Sequence, residues 1–213
     1  DAPLGPTAKV RTANEARELR DLFLYVGKAL GLTLDVRLTD GRAPVGRGIG
    51  PALEARDVVA VLKNEADAPA DLRTKALEFA GAILCFDSSV SMAEAPIKVR
   101  ELLDSGKAWE TFERMCAEQG PPPEDVEIGQ HSIMIAADAD GTVESIDCFA
   151  LASIARAAGA PKIKGAGLDL MARPGDTVNQ GEPLYRIHAL SEDGLDAAQM
   201  KVSKDAAYRI VPT

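Results

Sequence analysis

Glu54 and Asp57 stand three residues apart on what reads as one helix face, directly behind the stretch GRAPVGRGIG at residues 41–50. Two carboxylates at that spacing can converge on a cation, and the dipole of a helix start favours them there in any case. The stretch before them carries Gly41, Gly46, Gly48 and Gly50 together with Arg42 and Arg47. Glycines ahead of a helix are the raw material of a phosphate cradle, because backbone N–H groups and the positive dipole end then face an anion. The spacing, however, is G-x-G-x-G rather than G-x-G-x-x-G, no G-K-[ST] follows, and Pro51 lacks one of the N–H groups a cradle would use. Taken alone, the residues read as a tight strand-to-helix connection with two solvated arginines.

Other candidates for chemistry are sparse. The two histidines, His131 and His188, fall on predicted strands and read as structural or exposed, and no serine or cysteine sits in a nucleophile motif. Cys85, Cys116 and Cys148 are odd in number and form no CxxC pair, which suits reduced thiols in the cytoplasm better than a disulfide frame or a zinc site. GDTVNQGEPLYRI is similar to the second half of a lipoyl or biotinyl domain, so a non-catalytic carrier or binding module is one reading. No lysine occupies the hairpin position such a carrier modifies, and Lys201 lies in a predicted helix. A net charge of −9 disfavours nucleic acid or an anionic membrane as partner, since both call for a positive field. No long apolar run suggests a membrane span, and no signal peptide opens the chain. The first residue is Asp1, and DAPLGPTAKVRT reads like the exit of a strand, which suggests part of something longer.

The elements that must hold these residues follow from spacing. Thr12 to Glu15 (TANE) has the form of a capping box, and Leu19, Leu22, Phe23, Val26 and Leu30 follow at helical intervals to a stop at Gly31. TLDVRLTD alternates Leu34, Val36 and Leu38 on one face of a predicted strand. Pro51 favours a helix start, with Leu53, Val58, Val61 and Leu62 pointing inward. ADLRTKALEFAGAILCF predicts a further helix with Leu72, Leu77, Phe79, Ala80, Ile83 and Leu84 inward, and two more should follow, one opening at Ser91 to Glu94 and one through KAWETFERMCAEQ. Three consecutive prolines in QGPPPEDVEIG mark a linker. Beyond it, HSIMIAA and GTVESID read as strands around the turn DADG, CFALASIARAAG as a helix ended by Gly159, and a helix from Ser191 to about Lys201 precedes the strand AYRIV. The expected organisation is thus an α/β segment at 1–118, a Pro-rich linker at 119–130, and a small α+β domain at 131–213 with a curled, barrel-like sheet.

Longer blocks then add up. TDGRAPVGRGIGPALEARDVVAVL, SGKAWETFERMCAEQG and ARAAGAPKIKGAGLDLMARPGDTVNQGEPLYRIHA resemble, in order and over essentially the whole chain, the thymidine and pyrimidine-nucleoside phosphorylase family. The AGAPKxKGAG form is similar to its archaeal-type branch, which includes AMP phosphorylases; Ile163 departs from that pattern, where Asp is usual. The resemblance implies the end of an α/β phosphate-binding domain followed by a C-terminal domain. It also implies a cytoplasmic homodimer that splits a nucleoside, or AMP in one variant, with phosphate as co-substrate and no organic cofactor. Its phosphate loop and catalytic residues would lie upstream of Asp1, so no catalytic residue is carried onto this chain. In the pyrimidine-nucleoside branch the glycine stretch supplies ligands to a monovalent cation. Position by position, the resemblance implies K+ held by the carbonyls of Val45 and Gly48 and the carboxylate of Asp57.

Overall fold

A computed structural model describes residues 1–120, 126–204 and 206–212. The prolines at 121–123 therefore lie outside the described residues, together with residues 124 and 125 of the expected linker. The chain opens with β1 (Ala2–Leu4), α1 (Ala13–Ala29) and β2 (Leu38–Asp40), the two strands pairing in parallel with Ala2 opposite Leu38. The capping box forms as expected: the Thr12 hydroxyl accepts from Glu15 N, and the Glu15 carboxylate accepts from the amides of Arg11 and Thr12. The face of α1 does not match expectation. Its buried residues are Ala16 and Gly27, whereas Leu22, Phe23, Val26 and Leu30 are exposed. Only β1 makes more than marginal contact with α1 among the described elements, so nothing covers the apolar stripe. The strand expected from residue 33 likewise shrinks to Leu38–Asp40, because its one pairing partner is itself three residues long. Leu34 and Leu38 are exposed.

After β2 come β3 (Gly48–Ile49), α2 (Pro51–Leu62), α3 (Ala70–Leu84), α4 (Ala95–Asp104) and α5 (Lys107–Gln119). Pro51 starts α2 where its missing N–H and fixed φ cost least, and the helix buries Leu53, Asp57, Ala60 and Val61; Val58 stays out. The Ser91 to Glu94 box forms its reciprocal hydrogen bonds one turn ahead of α4.

The remaining elements are β4 (His131–Ala136), β5 (Gly141–Ile146), α6 (Cys148–Ala158), β6 (Gly167–Leu170), β7 (Thr177–Val178), β8 (Pro183–Ala189), α7 (Glu192–Val202) and β9 (Tyr208–Val211). Asp147 caps α6 by accepting from the amides of Phe149 and Ala150, and Gly159 ends it in left-handed geometry (φ 119). The strands do not form the single curled layer expected. They make a four-stranded sheet, β3-β6-β8-β4, and a three-stranded one, β7-β5-β9, both antiparallel, with no closed barrel among the described residues. The strands flanking the DADG turn never pair with each other. Asp140 instead accepts from Gln180 N at 2.6 Å, and Gly181 N donates to Ala137 O at 2.9 Å, so the turn ties to the 179–182 turn and sends β4 and β5 into different sheets.

The main core fills this second half. Leu151 and Ile154 of α6 pack with Leu168, Leu170, Tyr185 and Ile187 of β6 and β8, all essentially without solvent contact. Burying each such side chain is worth about 1.5–3 kcal/mol, which makes β6 and β8 a rigid base. β3, from the glycine stretch, is the edge strand built on that base, so the two halves of the sequence share one sheet.

Candidate functional site

The glycine stretch becomes a site through three close approaches. Gly48 pairs with Asp169 and Ile49 with Leu168, while Leu170 N donates to Arg47 O at 2.9 Å. A Cβ at Gly48 would lie 2.5 Å from the Leu53 carbonyl group, so any side chain there would push away the first turn of α2. Gly50 caps α2 at φ 127, a conformation that L-residues rarely adopt, and a Cβ there would overlap the Ala166 carbonyl oxygen. The loop backbone is thereby pressed between α2 and β6, with its amides and carbonyls turned toward side chains of α2, of α3 and of the segment after β6.

Four of the loop amides are taken. Arg47 N and Gly48 N donate to Asp57 Oδ2 at 2.6 and 2.7 Å, Gly46 N to Asp71 Oδ2 at 3.1 Å, and Gly50 N to Glu54 Oε1 at 3.0 Å. Successive N–H groups curled around one anion form a nest. Here the anion is the protein's own Asp57, which is 1% exposed. The loop does what a cradle does, but on an internal carboxylate.

The charge of Asp57 is met from the other side. Arg56 Nη2 donates to Asp57 Oδ1 at 2.9 Å and Arg47 Nη2 lies 3.6 Å away. The same Arg56 forks onto Asp169 of β6, with Nη1 at 2.8 Å and Nη2 at 2.5 Å from its two oxygens. His188 of β8 brings Nε2 to 3.3 Å from Asp169 Oδ2, and its Nδ1 lies 3.3 Å from Gly129 O. Burial pushes the Asp169 carboxyl up, but the hydrogen bonds from Arg56 and the proximity of Arg56 and His188 outweigh it and hold the group far below the usual carboxylate range. The bond to Asp169 correspondingly raises the Arg56 guanidinium, against the opposing effect of burial. Arg173, just after β6, completes the set. Its Nη1 donates to Pro44 O at 2.6 Å and its Nη2 to Gly46 O, with Asp71 Oδ2 3.6 Å from Nη2. The Tyr208 hydroxyl fixes the adjoining backbone by donating to Ala172 O at 3.0 Å. The arrangement is a charge-paired clamp, and the chemistry available to it is holding one half of the chain against the other.

The residues singled out from sequence divide accordingly. Gly48 and Asp57 meet at the centre of the clamp, Glu54 joins through Gly50, and Arg47 pairs with Asp57 and with Asp67 at 3.4 Å. Val45 stands exposed at the rim of a 340 Å³ cavity that Asp57, Glu54 and Cys148 also line. Arg42 faces outward, where it pairs with Asp40 at 2.6 Å and holds that carboxyl down to about 2. His131 lies on β4, away from the clamp, and the three cysteines are free thiols. Lys201 lies in α7, as expected. Arg56, Asp71, Asp169 and Arg173 were not singled out; Asp169 meets Arg56 across 113 residues and Arg173 meets Pro44 and Gly46 across 129 and 127, so no local pattern could flag them. Among the described residues, no group of three or more His, Cys, Asp or Glu side chains is placed to hold a metal ion, and no helix is long and apolar enough to cross a membrane.

Comparison with known proteins now gives this architecture a class. Residues 142–209 match the family model described as pyrimidine nucleoside phosphorylase C-terminal domain, and the chain corresponds to the C-terminal portion of the pyrimidine nucleoside phosphorylase family. A protein of Rhodopseudomonas palustris provisionally named thymidine phosphorylase is 47% identical over 99% of this chain and 41% of its own length. Bifunctional ribose 1,5-bisphosphokinase-thymidine phosphorylases of Cupriavidus pinatubonensis and Azorhizobium caulinodans are 49% and 50% identical over 93% of this chain, which covers 33% and 29% of their lengths. The chain thus spans about two fifths or less of the curated relatives it matches.

Proposed function

We propose that this chain is the C-terminal portion of a thymidine phosphorylase, whose reaction converts thymidine and phosphate to thymine and 2-deoxyribose 1-phosphate. Identity of 47% across 99% of the chain, with a relative whose name carries that activity, supports the assignment. Phosphorolysis of a nucleoside needs phosphate aligned behind the sugar carbon and charge stabilised on the departing base. The observation that supports a scaffold share for this chain is the state of the glycine loop: Gly46, Arg47, Gly48 and Gly50 all donate their amides to internal carboxylates. A loop so engaged serves as scaffold, and phosphate binding and catalysis belong to the remainder of the longer protein. In this reading residues 1–118 close an α/β phosphate-binding domain, 119–130 link it to an α+β domain at 131–213, and the clamp sets the angle between them. The complete enzyme is a cytoplasmic homodimer that uses phosphate as co-substrate.

The test is phosphate-dependent base release by the longer gene product from thymidine, uridine, deoxyuridine and AMP. Preference for thymidine with formation of a sugar 1-phosphate is expected. Preference for AMP would move the protein to the AMP phosphorylases, and base release that ignores phosphate would refute phosphorolysis altogether. Mass spectrometry addresses the carrier reading: an unmodified chain mass is expected, and a lysine-borne adduct would revive it.

A further inference from the structure

The potassium ion that the resemblance implies for Val45, Gly48 and Asp57 can be tested against the donors and acceptors of this loop, and the residues do not fit it. A hard cation needs oxygen lone pairs turned toward it. A carboxylate offers about four. Asp57 already accepts from Arg47 N, Gly48 N, Arg56 Nη2 at 2.9 Å and Arg56 Nε at 3.3 Å. A cation at that carboxylate would also stand beside the Arg56 and Arg47 guanidiniums, which repel it. A third cation already sits among the loop carbonyls: Pro44 O and Gly46 O, on either side of Val45, both accept from Arg173, whose charge also repels a metal ion there.

We infer that Arg173 and Arg56 are the built-in cations of this loop, doing with fixed guanidiniums what the related branch does with a bound monovalent ion, so that the clamp is independent of potassium. Arg173 gathers the two carbonyls and faces Asp71. Arg56 neutralises Asp57 and ties it to Asp169 of the opposite half. A guanidinium suits both tasks, because its planar fork places several donors at fixed angles and it stays charged at every accessible pH. The inference does not depend on which nucleoside the longer protein cleaves.

Thermal melts of the 213-residue chain in potassium, sodium and choline chlorides at equal ionic strength test it. The three curves should coincide. A potassium ion held at 100 times its Kd would raise the Tm by roughly 5–11 °C for a domain of this size, and such a potassium-specific rise would overturn the inference. Arg173→Met should lower the Tm in every salt, and Arg173→Lys, which keeps the charge but loses the fork, should recover part of the loss. An Arg173→Met chain that melts like the parent would overturn the positioning role. Should that variant fail to fold, the salt comparison on the unaltered chain still decides. A rubidium-soaked crystal gives an independent reading: no anomalous peak is expected beside Asp57, and a peak there refutes the inference.

Discussion

Asp57→Asn removes one charge and one acceptor from the centre of the clamp without changing its shape. Asparagine can still accept at one oxygen, but its NH2 must then point at Arg47 N and Gly48 N or at Arg56, all of which are donors. The position is 1% exposed, so water cannot take up the lost bonds. Breaking a buried pair from one side costs about 3–5 kcal/mol, chiefly because the partner is left uncompensated. Arg56 keeps Asp169 on its other side, which favours the lower end of that range, about 3 kcal/mol. Against a total stability of about 5–15 kcal/mol this is a large fraction, and it corresponds to a fall in Tm of roughly 6–12 °C. Urea denaturation followed by circular dichroism reads it directly as a lower midpoint at unchanged slope. Glu54→Gln is the control: its carboxylate is exposed and accepts from Gly50 N alone among the loop amides, so the loss should stay near 0.5 kcal/mol. If Asp57→Asn costs less than about 1 kcal/mol, the internal-anion account of the loop is wrong.

Three further substitutions probe the same construction. Asp169 titrates below its unfolded value near 3.9, so its contribution is present above that pH and is lost as the pH falls from about 4 toward its depressed folded value. The stability gap between the parent and Asp169→Asn should therefore be full at pH 6 and narrow below about pH 4, and a gap independent of pH contradicts the Arg56 and His188 pairing. Gly50→Ala should destabilise by more than about 2 kcal/mol, since the strained φ and the collision with Ala166 O act together; a milder loss in urea melts means that β3 can leave β6 without penalty. Phe23→Asp should change the stability of this chain by less than about 0.5 kcal/mol, because the side chain is 50% exposed on the uncovered face of α1; a cost above about 2 kcal/mol would place that face in a packed interface.

What could be read from residues alone was local chemistry. The Thr12 capping box and Gly159 at the end of α6 satisfy backbone groups within a few residues, Pro51 at the start of α2 removes one that would lack a partner, and each forms as expected. Long-range partners were invisible. Leu22, Phe23 and Val26 have the spacing of a buried stripe, yet spacing cannot say whether another element covers them, and here none does among the described residues. β4 and β5 look like a hairpin because the DADG turn joins them, while their true partners β8 and β9 lie far down the chain. The site follows the same rule. Asp57 and the glycines were legible because they are neighbours. Arg173 could not be tied to Pro44 and Gly46, 129 and 127 residues away. The glycines' partners were hidden for the same reason, since Asp71 joins Gly46 from 25 residues off and Arg56 reaches Asp169 across 113.

The claim that the loop is a scaffold already filled by its own carboxylates is tested most directly by following the backbone amide signals of Gly46, Arg47, Gly48 and Gly50 by 15N NMR while inorganic phosphate is titrated into the chain. The four signals should stay in place through the titration, because each N–H is committed to Asp71, Asp57 or Glu54. Saturable movement of these signals together would mean that phosphate displaces the internal carboxylates, and the loop would then be the anion cradle that its spacing argues against.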